Sequence, residues 1–246
     1  MMRWLAAMAV IVTVVLSTPL SAEPRPQIAI IIDDLGYAVP AGERVVRLPG
    51  PVACAILPGT PAARRLAVEA TARGKEVLVH LPMQAAIDDD GAEPGSITLD
   101  MSRIAFVRAF NAALASVPGA IGVNNHRGSL LTRHPGHMQW LMDEIRADGS
   151  LFFVDSYTTH KSVALTVARE TGVDAVKRDI FLDSRNTPDA VASAFERLKS
   201  LARRRGSAVA IGHPYEHTLA LLERELPKLE EQGFDLVPIS ALAMRR

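Results

Sequence analysis

The sequence predicts an α/β fold, a distorted (β/α) barrel of seven to eight parallel strands with outer helices. Short apolar, β-branched runs alternate along the chain with helical patterns, and Gly or Pro falls between them. The predicted strands are almost entirely apolar, as expected for parallel strands that are covered on both faces. The 246 residues suffice for one large domain, and single barrel domains often have this size.

Eight segments are predicted as strands, each short and rich in apolar residues. They are "IAIII" (28–32), "VACAI" (52–56), "EVLVH" (76–80), "AIGVN" (120–124), "LFFV" (151–154), "DAVKR" (174–178), "AVAIG" (208–212) and "FDLVPI" (234–239).

Helical patterns with recognisable ends lie between the strands, where parallel strands require crossover connections. Pro61 suits a first helical turn and Gly74 suits a C-terminal stop. Pro227 lies inside "TLALLERELPKLEEQG" and predicts a kink there. Two further helices are predicted at 102–119, with Ser102 as the N-cap, and at 188–206.

A doubly wound open sheet is the alternative fold. That fold usually binds a phosphate group in a Gly-rich loop after its first strand. Here "DDLGYAVPAG" follows the first strand and is acidic, which favours the barrel.

Residues 1–22 are predicted to be a signal peptide. Arg3 precedes an apolar run from Trp4 to Leu16, and that run is shorter than the roughly 20 residues of a membrane-spanning helix. We expect cleavage after Ala22, no stable membrane insertion afterwards, and a periplasmic or secreted protein; an uncleaved membrane anchor is the alternative. Residues 23–27 form a Pro-rich linker, and 28–246 form the domain.

Charge and cysteine content exclude several classes of protein. The chain has 27 basic and 27 acidic residues, and such a balance argues against a partner that is a nucleic acid or an anionic membrane. The single cysteine, Cys54, lies in the apolar stretch "PVACAIL". We expect a buried structural thiol without an intrachain disulfide.

Polar side chains follow the C-terminal ends of six predicted strands. In a parallel barrel these ends form one rim, where active sites are built. The rim residues are Asp33, Asp34, His80, Asn124, Asn125, His126, Asp155, Asp179, Asp183 and His213.

Some of these polar residues are predicted to be structural. Asp179 and Asp183 precede "SRNTP" and suit turn and capping roles. The remaining histidines do not follow a strand and are expected to be structural or on the surface; they are His134, His137, His160 and His217.

Caps do not explain the histidines that recur at equivalent strand ends. Asp33 and Asp34 repel each other unless a cation or a proton separates them. One carboxylate with two imidazoles is a common ligand set for a catalytic zinc with an open position, and the second carboxylate then stays free to take a proton.

Several stretches together resemble the divergent polysaccharide deacetylases, bacterial envelope proteins related to the polysaccharide deacetylases. These stretches are "IAIIIDDLGY", "EVLVHLPMQ", "GVNNHRGS", "FFVDSYT" and "AIGHPY". The resemblance implies a distorted (β/α) barrel and a metal-dependent hydrolase that removes acetyl groups from N-acetylated sugars.

The resemblance also assigns roles to individual residues. Asp33 matches the catalytic base, Asp34 a metal ligand, His80 the first histidine ligand and His213 the general acid. Gln84 stands where the family has its second histidine ligand. The Arg-Pro motif expected after the fourth strand is replaced by "NNHRGS".

We therefore expect Asp34, His80 and His126 to bind a divalent metal ion of the zinc type, with His126 taking the place of the missing ligand. His126 follows the fourth predicted strand, which neighbours the strand of His80. The residues expected to contact substrate or support the site are Asn124, Asn125, Asp155 and Tyr215.

Two functions follow from these expectations. The first is an envelope hydrolase acting on a glycan such as peptidoglycan or another acetamido-sugar polymer. The alternative is a non-catalytic glycan-binding or regulatory protein on the same barrel, which Gln84 favours and the paired carboxylates oppose.

Overall fold

The computed structural model describes residues 24–87 and 95–243. The predicted signal peptide lies outside these ranges, so cleavage and export stay predictions. In the described part of the chain, no helix combines the length and the apolar character needed to cross a bilayer.

The described residues contain nine strands, and all their pairings are parallel. They are β1 (Gln27–Leu35), β2 (Ala53–Ile56), β3 (Val77–Met83), β4 (Ala120–Arg127), β5 (Phe152–Asp155), β6 (Ala175–Lys177), β7 (Ile180–Phe181), β8 (Ser207–Gly212) and β9 (Asp235–Leu236). The order is β6-β5-β4-β3-β2-β1-β8-β7, and β9 pairs with β1. The sheet curls into a half-barrel, which confirms the predicted distorted (β/α) barrel.

The barrel is open between its two edge strands. β6 and β7 are adjacent in sequence and separated by Arg178 and Asp179, yet among the described residues no ladder pairs them. The sequence predicted one strand over 174–178 and missed β7. Between the two strands, the Asp179 carboxylate accepts a hydrogen bond from the backbone amide of Val209, at 3.0 Å.

Helices surround the sheet. They are α1 (Val39–Arg47), α2 (Ala63–Ala72), α3 (Arg103–Ser116), α4 (Pro135–Asp148), α5 (Ala164–Thr171), α6 (Pro188–Arg205), α7 (Glu216–Glu225) and α8 (Ile239–Ala243). Ser102 caps α3 through the Ala105 amide, as predicted. Pro227 lies in a 3₁₀ turn, Leu226–Lys228, that follows the end of α7, so the predicted kink is a helix end.

The predicted strand 234–239 is shorter in the structure than in the sequence reading. Only Asp235 and Leu236 pair with β1, and α8 begins at Ile239. Pro238 lies between them and has no amide proton to donate to a ladder, which accounts for the early end.

The core has two layers on either side of the sheet. Ile28, Ile30 and Ile32 of β1 pack towards the surrounding helices, whereas Ala29 and Ile31 join the layer inside the barrel, which includes residues of α8. This alternation follows the two-residue period of a strand. Cys54 is buried in the outer layer, and burial raises the pKa of its thiol to about 12, as expected of a structural thiol.

Candidate metal centre and surrounding cavity

Backbone strain collects at the edge of the sheet that carries the predicted site. Among the described residues three that are not glycine have positive φ: Asp34 (58°), Arg127 (53°) and Tyr157 (52°). They lie at or just after the carboxyl ends of β1, β4 and β5. Positive φ is costly for such residues and concentrates at functional sites.

A bulge in β1 separates the two aspartates. The pairing of β1 with β2 shifts register between Ile32 and Leu35, and Asp34 occupies the left-handed region. Both aspartates belong to β1, whereas the predicted strand ended at residue 32. The bulge re-aims the side chains, so both carboxylates line one cavity.

Asp34, His80 and His126 bring three ligand atoms together. Asp34 Oδ1 lies 3.0 Å from His80 Nε2 and 2.9 Å from His126 Nδ1, and the two nitrogens are 3.1 Å apart. Ligands about 2.0–2.1 Å from a tetrahedral zinc ion lie roughly 3.3 Å from one another. The three predicted ligands therefore fit a small divalent cation.

The missing hydrogen bond at Asp34 also indicates a cation site. Its Oδ1 atom is buried and has no hydrogen bond of acceptable geometry within the described residues, although both imidazole nitrogens are close. A buried carboxylate oxygen without a donor is costly. A metal ion at this position would satisfy it together with both nitrogens.

Asn124 sets the tautomer of His80. Its Nδ2 donates to Asp33 Oδ1 at 2.8 Å and lies 3.2 Å from Ser156 Oγ, so its Oδ1 faces His80 Nδ1, at 2.9 Å. Since an amide oxygen accepts, His80 Nδ1 carries the proton. In neutral His80, Nε2 therefore presents a lone pair to the centre, as metal ligation requires.

The pKa values at the centre reflect close charges in a buried place. Burial alone would lower the pKa of His80, but the negative charges of Asp33 and of the adjacent Asp34 outweigh it and raise that pKa to about 9. Burial alone would raise the pKa of Asp34, but His126 and His80 hold it far below its usual range. Burial raises the pKa of Asp33, against the opposing charges of His80 and His213.

His213 is held by Asp183, a partner that the sequence analysis missed. Asp183 Oδ1 lies 2.9 Å from His213 Nδ1, and its Oδ2 accepts from the His213 amide and from Thr218 Oγ1, at 2.6 and 2.8 Å. Asp183 lies in a turn, as predicted, but its carboxylate binds His213 and Thr218 instead of capping a helix. Recognising β7 would have placed Asp183 just beyond a strand end, beside β8.

Asp183 also governs the charge state of His213. Burial lowers the pKa of His213, but the hydrogen bond that His213 donates to Asp183 and the charges of Asp34, Asp183 and Asp33 outweigh burial and raise it. With Nδ1 held by Asp183, the Nε2 atom lies 3.5 Å from Asp34 Oδ2. When His213 is protonated, its Nε2 therefore presents a proton next to the metal-ligand cluster.

These side chains line a cavity of about 360 Å³. Its lining residues are Asp33, Asp34, His80, Asn125, His126, Arg127, Ser156, Thr158, Arg178, Phe181, Ile211 and His213. The sequence analysis assigned no role to Arg127, although it lies in "GVNNHRGS", or to Arg178, the last residue of the predicted strand 174–178.

The four supporting residues have different positions. Asn124 is buried between His80 and Asp33, and Asn125 ties β4 to the Ser156 amide, at 2.8 Å. Tyr215 stacks on His213 with ring centroids 5.4 Å apart and is 42% exposed. Asp155 does not line the cavity.

Asp155 instead closes the loop after β5. Its Oδ1 accepts from the Tyr157 amide at 2.8 Å, and its Oδ2 accepts from Ser162 Oγ at 2.7 Å. Asp155 thus supports the loop whose Ser156 and Thr158 reach the cavity.

Gln84 does not reach the cluster. Its Oε1 accepts a hydrogen bond from the Leu99 amide at 2.9 Å, and Gln84 is absent from the cavity lining. His126 comes from β4, whose register pairs it with Pro82 of β3, two residues beyond His80. This offset brings His126 to the ligand position that Gln84 does not occupy.

The residues predicted to be structural contribute no atom to the ligand cluster. His134 caps α4 by accepting from the His137 amide, and Asp179 pairs with Arg205 at 3.3 Å. His160 is exposed, and His217 lies in the first turn of α7.

The chain is similar in sequence and in fold to several known proteins. The sequence model of the family described as divergent polysaccharide deacetylase matches residues 30–243. An uncharacterized protein of Haemophilus influenzae is 39% identical over 207 residues, which cover 84% of this chain and 73% of that protein.

Two solved structures share the fold. The uncharacterized protein ATU2773 from Agrobacterium tumefaciens superposes with a TM-score of 0.85 at 20% identity, covering 91% of this chain and 92% of that chain. The catalytic domain of peptidoglycan N-acetylglucosamine deacetylase from Eubacterium rectale superposes with a TM-score of 0.53 at 14% identity, covering 92% of this chain and 94% of that chain.

Proposed function

The chain belongs to the divergent polysaccharide deacetylase family, and from this premise we propose that it is a metal-dependent hydrolase that removes acetyl groups from an N-acetylated sugar polymer. One observation carries the proposal. The cavity that contains the Asp34, His80 and His126 cluster also contains a separate carboxylate, Asp33, and a separate imidazole, His213. Amide hydrolysis needs a proton acceptor and a proton donor in addition to a group that polarises the carbonyl.

Asp34, His80 and His126 would hold the metal ion. Two imidazole nitrogens and one carboxylate oxygen are typical ligands of catalytic zinc, which keeps a further position open. When bound, such an ion supplies Lewis-acid polarisation of a carbonyl oxygen and of water.

Asp33 is placed to act as the base. Its Oδ1 is occupied by Asn124 at 2.8 Å, while its Oδ2 lies 3.6 Å from His80 Nε2, beside the ligand atoms. Burial raises the pKa of this carboxyl group, which strengthens it as a proton acceptor. Asp33 Oδ2 takes the proton from the water that adds to the acetamide carbonyl carbon.

His213 is placed to act as the acid. Its raised pKa favours the protonated imidazole, and because Asp183 holds Nδ1, the transferable proton is the one on Nε2. As the C–N bond breaks, the sugar nitrogen takes that proton and leaves as an amine. Acetate departs with the oxygen of the water.

The proposal extends to the place and the polymer. The apolar segment before residue 23 supports export, so we place the protein in the periplasm or outside the cell, where peptidoglycan and other acetamido-sugar polymers are found. Tyr215, half exposed beside His213, offers a ring face on which a sugar can stack. N-terminal sequencing of exported protein tests this part, and retention of Met1 in a membrane fraction would contradict it.

A second candidate function is glycan binding without catalysis. The observation that favours it is Gln84, whose side chain is committed to the backbone of Leu99 where the family has a ligand histidine. The buried pair Asp33 and Asp34 opposes it, because two adjacent carboxylates serve no purpose in neutral glycan binding.

Metal analysis and a deacetylation assay separate the two functions. We expect purified protein to retain about one divalent ion and to release acetate from peptidoglycan or N-acetylglucosamine oligomers. Asp34→Asn should lose the ion and the activity, whereas His213→Ala should keep the ion and lose roughly 10²–10⁴-fold in rate. The second function would be established by a wild-type protein that binds glycan, retains no metal ion and releases no acetate.

A further inference from the structure

Arg178 occupies the opening of the barrel and lines the cavity. Its Nε donates to the Ser156 carbonyl at 2.7 Å, and its Nη2 donates to the Tyr157 carbonyl at 3.0 Å. The ring of Phe181 lies 4.8 Å from Cζ. The guanidinium is thereby held in one orientation by the loop after β5 and by β7.

This guanidinium has no acidic partner. Within residues 24–87 and 95–243, no carboxylate oxygen lies within the 4.0 Å of an ion pair with Arg178. Asp33, Asp155 and Asp179 act on it at longer range. A half-buried charge without a close counter-charge is costly.

Most of the N–H donors of Arg178 are also not engaged by the described residues. A guanidinium has five N–H donors, and the described residues engage two of them. The remaining donors include the fork at the end of the side chain, one N–H from each terminal nitrogen. That fork matches a carboxylate or a phosphate bidentately.

The neighbouring charge favours an anion as well. Arg127, the last residue of β4, lines the same cavity, and its Nη2 donates to the Ile87 carbonyl at 3.2 Å. The cavity wall thus includes a second guanidinium in addition to that of Arg178.

We propose that Arg178 forms an anion-binding subsite, so that the preferred acetamido sugar carries a carboxylate or phosphate group on the reacting ring or on its neighbour. This inference rests on the proposed function and narrows its substrate class. A neutral N-acetylglucosamine polymer leaves Arg178 without an anionic partner. An anionic polymer provides one, and little further ordering is needed because the guanidinium is already oriented.

The test compares three substrates of equal length: neutral N-acetylglucosamine oligomers, peptidoglycan fragments with lactyl carboxylates but no stem peptides, and N-acetylated oligomers bearing phosphate groups. We expect kcat/KM of the wild type to be highest for one of the two anionic substrates, and the better one identifies the anion. Arg178→Gln should lower kcat/KM for that substrate about 10- to 100-fold more than for the neutral substrate. Arg178→Lys should recover part of the loss.

Arg64→Gln is the matched control. Arg64 is exposed on α2 outside the cavity, and its replacement removes the same positive charge. An equal loss on neutral and anionic substrates in Arg178→Gln would show that Arg178 merely holds the loop after β5, and would overturn the inference. No preference for either anionic substrate in the wild type would also overturn it.

Binding keeps this test independent of catalysis. Calorimetry with the same oligomers on Asp33→Asn protein, with and without Arg178→Gln, should show the anionic preference and its loss. If the wild type hydrolyses none of the substrates but this preference appears, the proposed function fails and the anion subsite stands. Equal affinity for neutral and anionic oligomers would remove the subsite.

Discussion

Replacing His126 by alanine tests the composition of the metal centre. His126 Nδ1 lies 2.9 Å from Asp34 Oδ1 and 3.1 Å from His80 Nε2, so His126→Ala removes one corner of a three-atom ligand set. No other histidine, cysteine, aspartate or glutamate of the described residues completes a cluster with the remaining pair.

The size of the effect follows from that geometry. Changing a residue that only supports a metal ligand typically lowers affinity 10–100-fold, and removing a ligand itself should exceed that loss. Gln84→His should give no gain, because the side chain at this position lies against the Leu99 amide and outside the cavity. His160→Ala is the matched control, since His160 is exposed.

The assay is calorimetric titration of Zn²⁺ into metal-free wild type, His126→Ala, Gln84→His and His160→Ala protein. We expect the wild-type, Gln84→His and His160→Ala proteins to bind alike and His126→Ala to bind more than about 100-fold more weakly. Unchanged affinity in His126→Ala, together with tighter binding in Gln84→His, would show that the third ligand comes from β3 and would refute the reasoning.

Four further predictions concern the acid His213, the ligand His80 (two of them) and the core. Asp183→Asn should lower kcat by up to about 10²-fold and move the alkaline limb of the pH–rate profile to lower pH, since the hydrogen bond to Asp183 raises the pKa of His213; an unmoved limb would contradict this. Metal affinity should rise roughly tenfold per pH unit up to about pH 9 and then level off, because the metal displaces a proton from His80, whose pKa is raised to about 9; titration at several pH values checks it. In metal-free protein the raised pKa of His80 also stabilises the fold. This stabilisation is fully present below pH 6.5, the ordinary pKa, and is lost as pH rises through about 9. Between these pH values, the Tm of the wild type should therefore fall relative to that of His80→Ala. Phe106→Ala should destabilise the fold by roughly 3–5 kcal/mol, because Phe106 is fully buried in the outer core layer; urea denaturation measures this, and a loss below about 1 kcal/mol would contradict the packing.

The sequence by itself determined that the strands are parallel and which edge of the sheet carries the candidate site. Continuous apolar runs form parallel strands only if both faces are covered, and every residue that follows such a strand then arrives at the same edge. This local rule placed Asp33, Asp34, His80, His126 and His213 together without any knowledge of their contacts.

The side-chain partners at that edge depended on the tertiary structure. Asp183 and His213 are separated by 30 residues in the chain, and Arg178 meets Ser156 across the opening of the barrel. Such contacts depend on the register and curl of the whole sheet, which short-range sequence patterns do not encode.

The bulge at Asp34 likewise depends partly on local sequence and partly on tertiary structure. The sequence places two carboxylates after a strand core, and aspartate is among the residues that tolerate positive φ. The pairing of β1 with β2, however, decides that the register shifts between Ile32 and Leu35 and that both carboxylates line the cavity. A local backbone preference allows this conformation, and long-range packing selects it because the strain at Asp34 is offset only within the folded sheet.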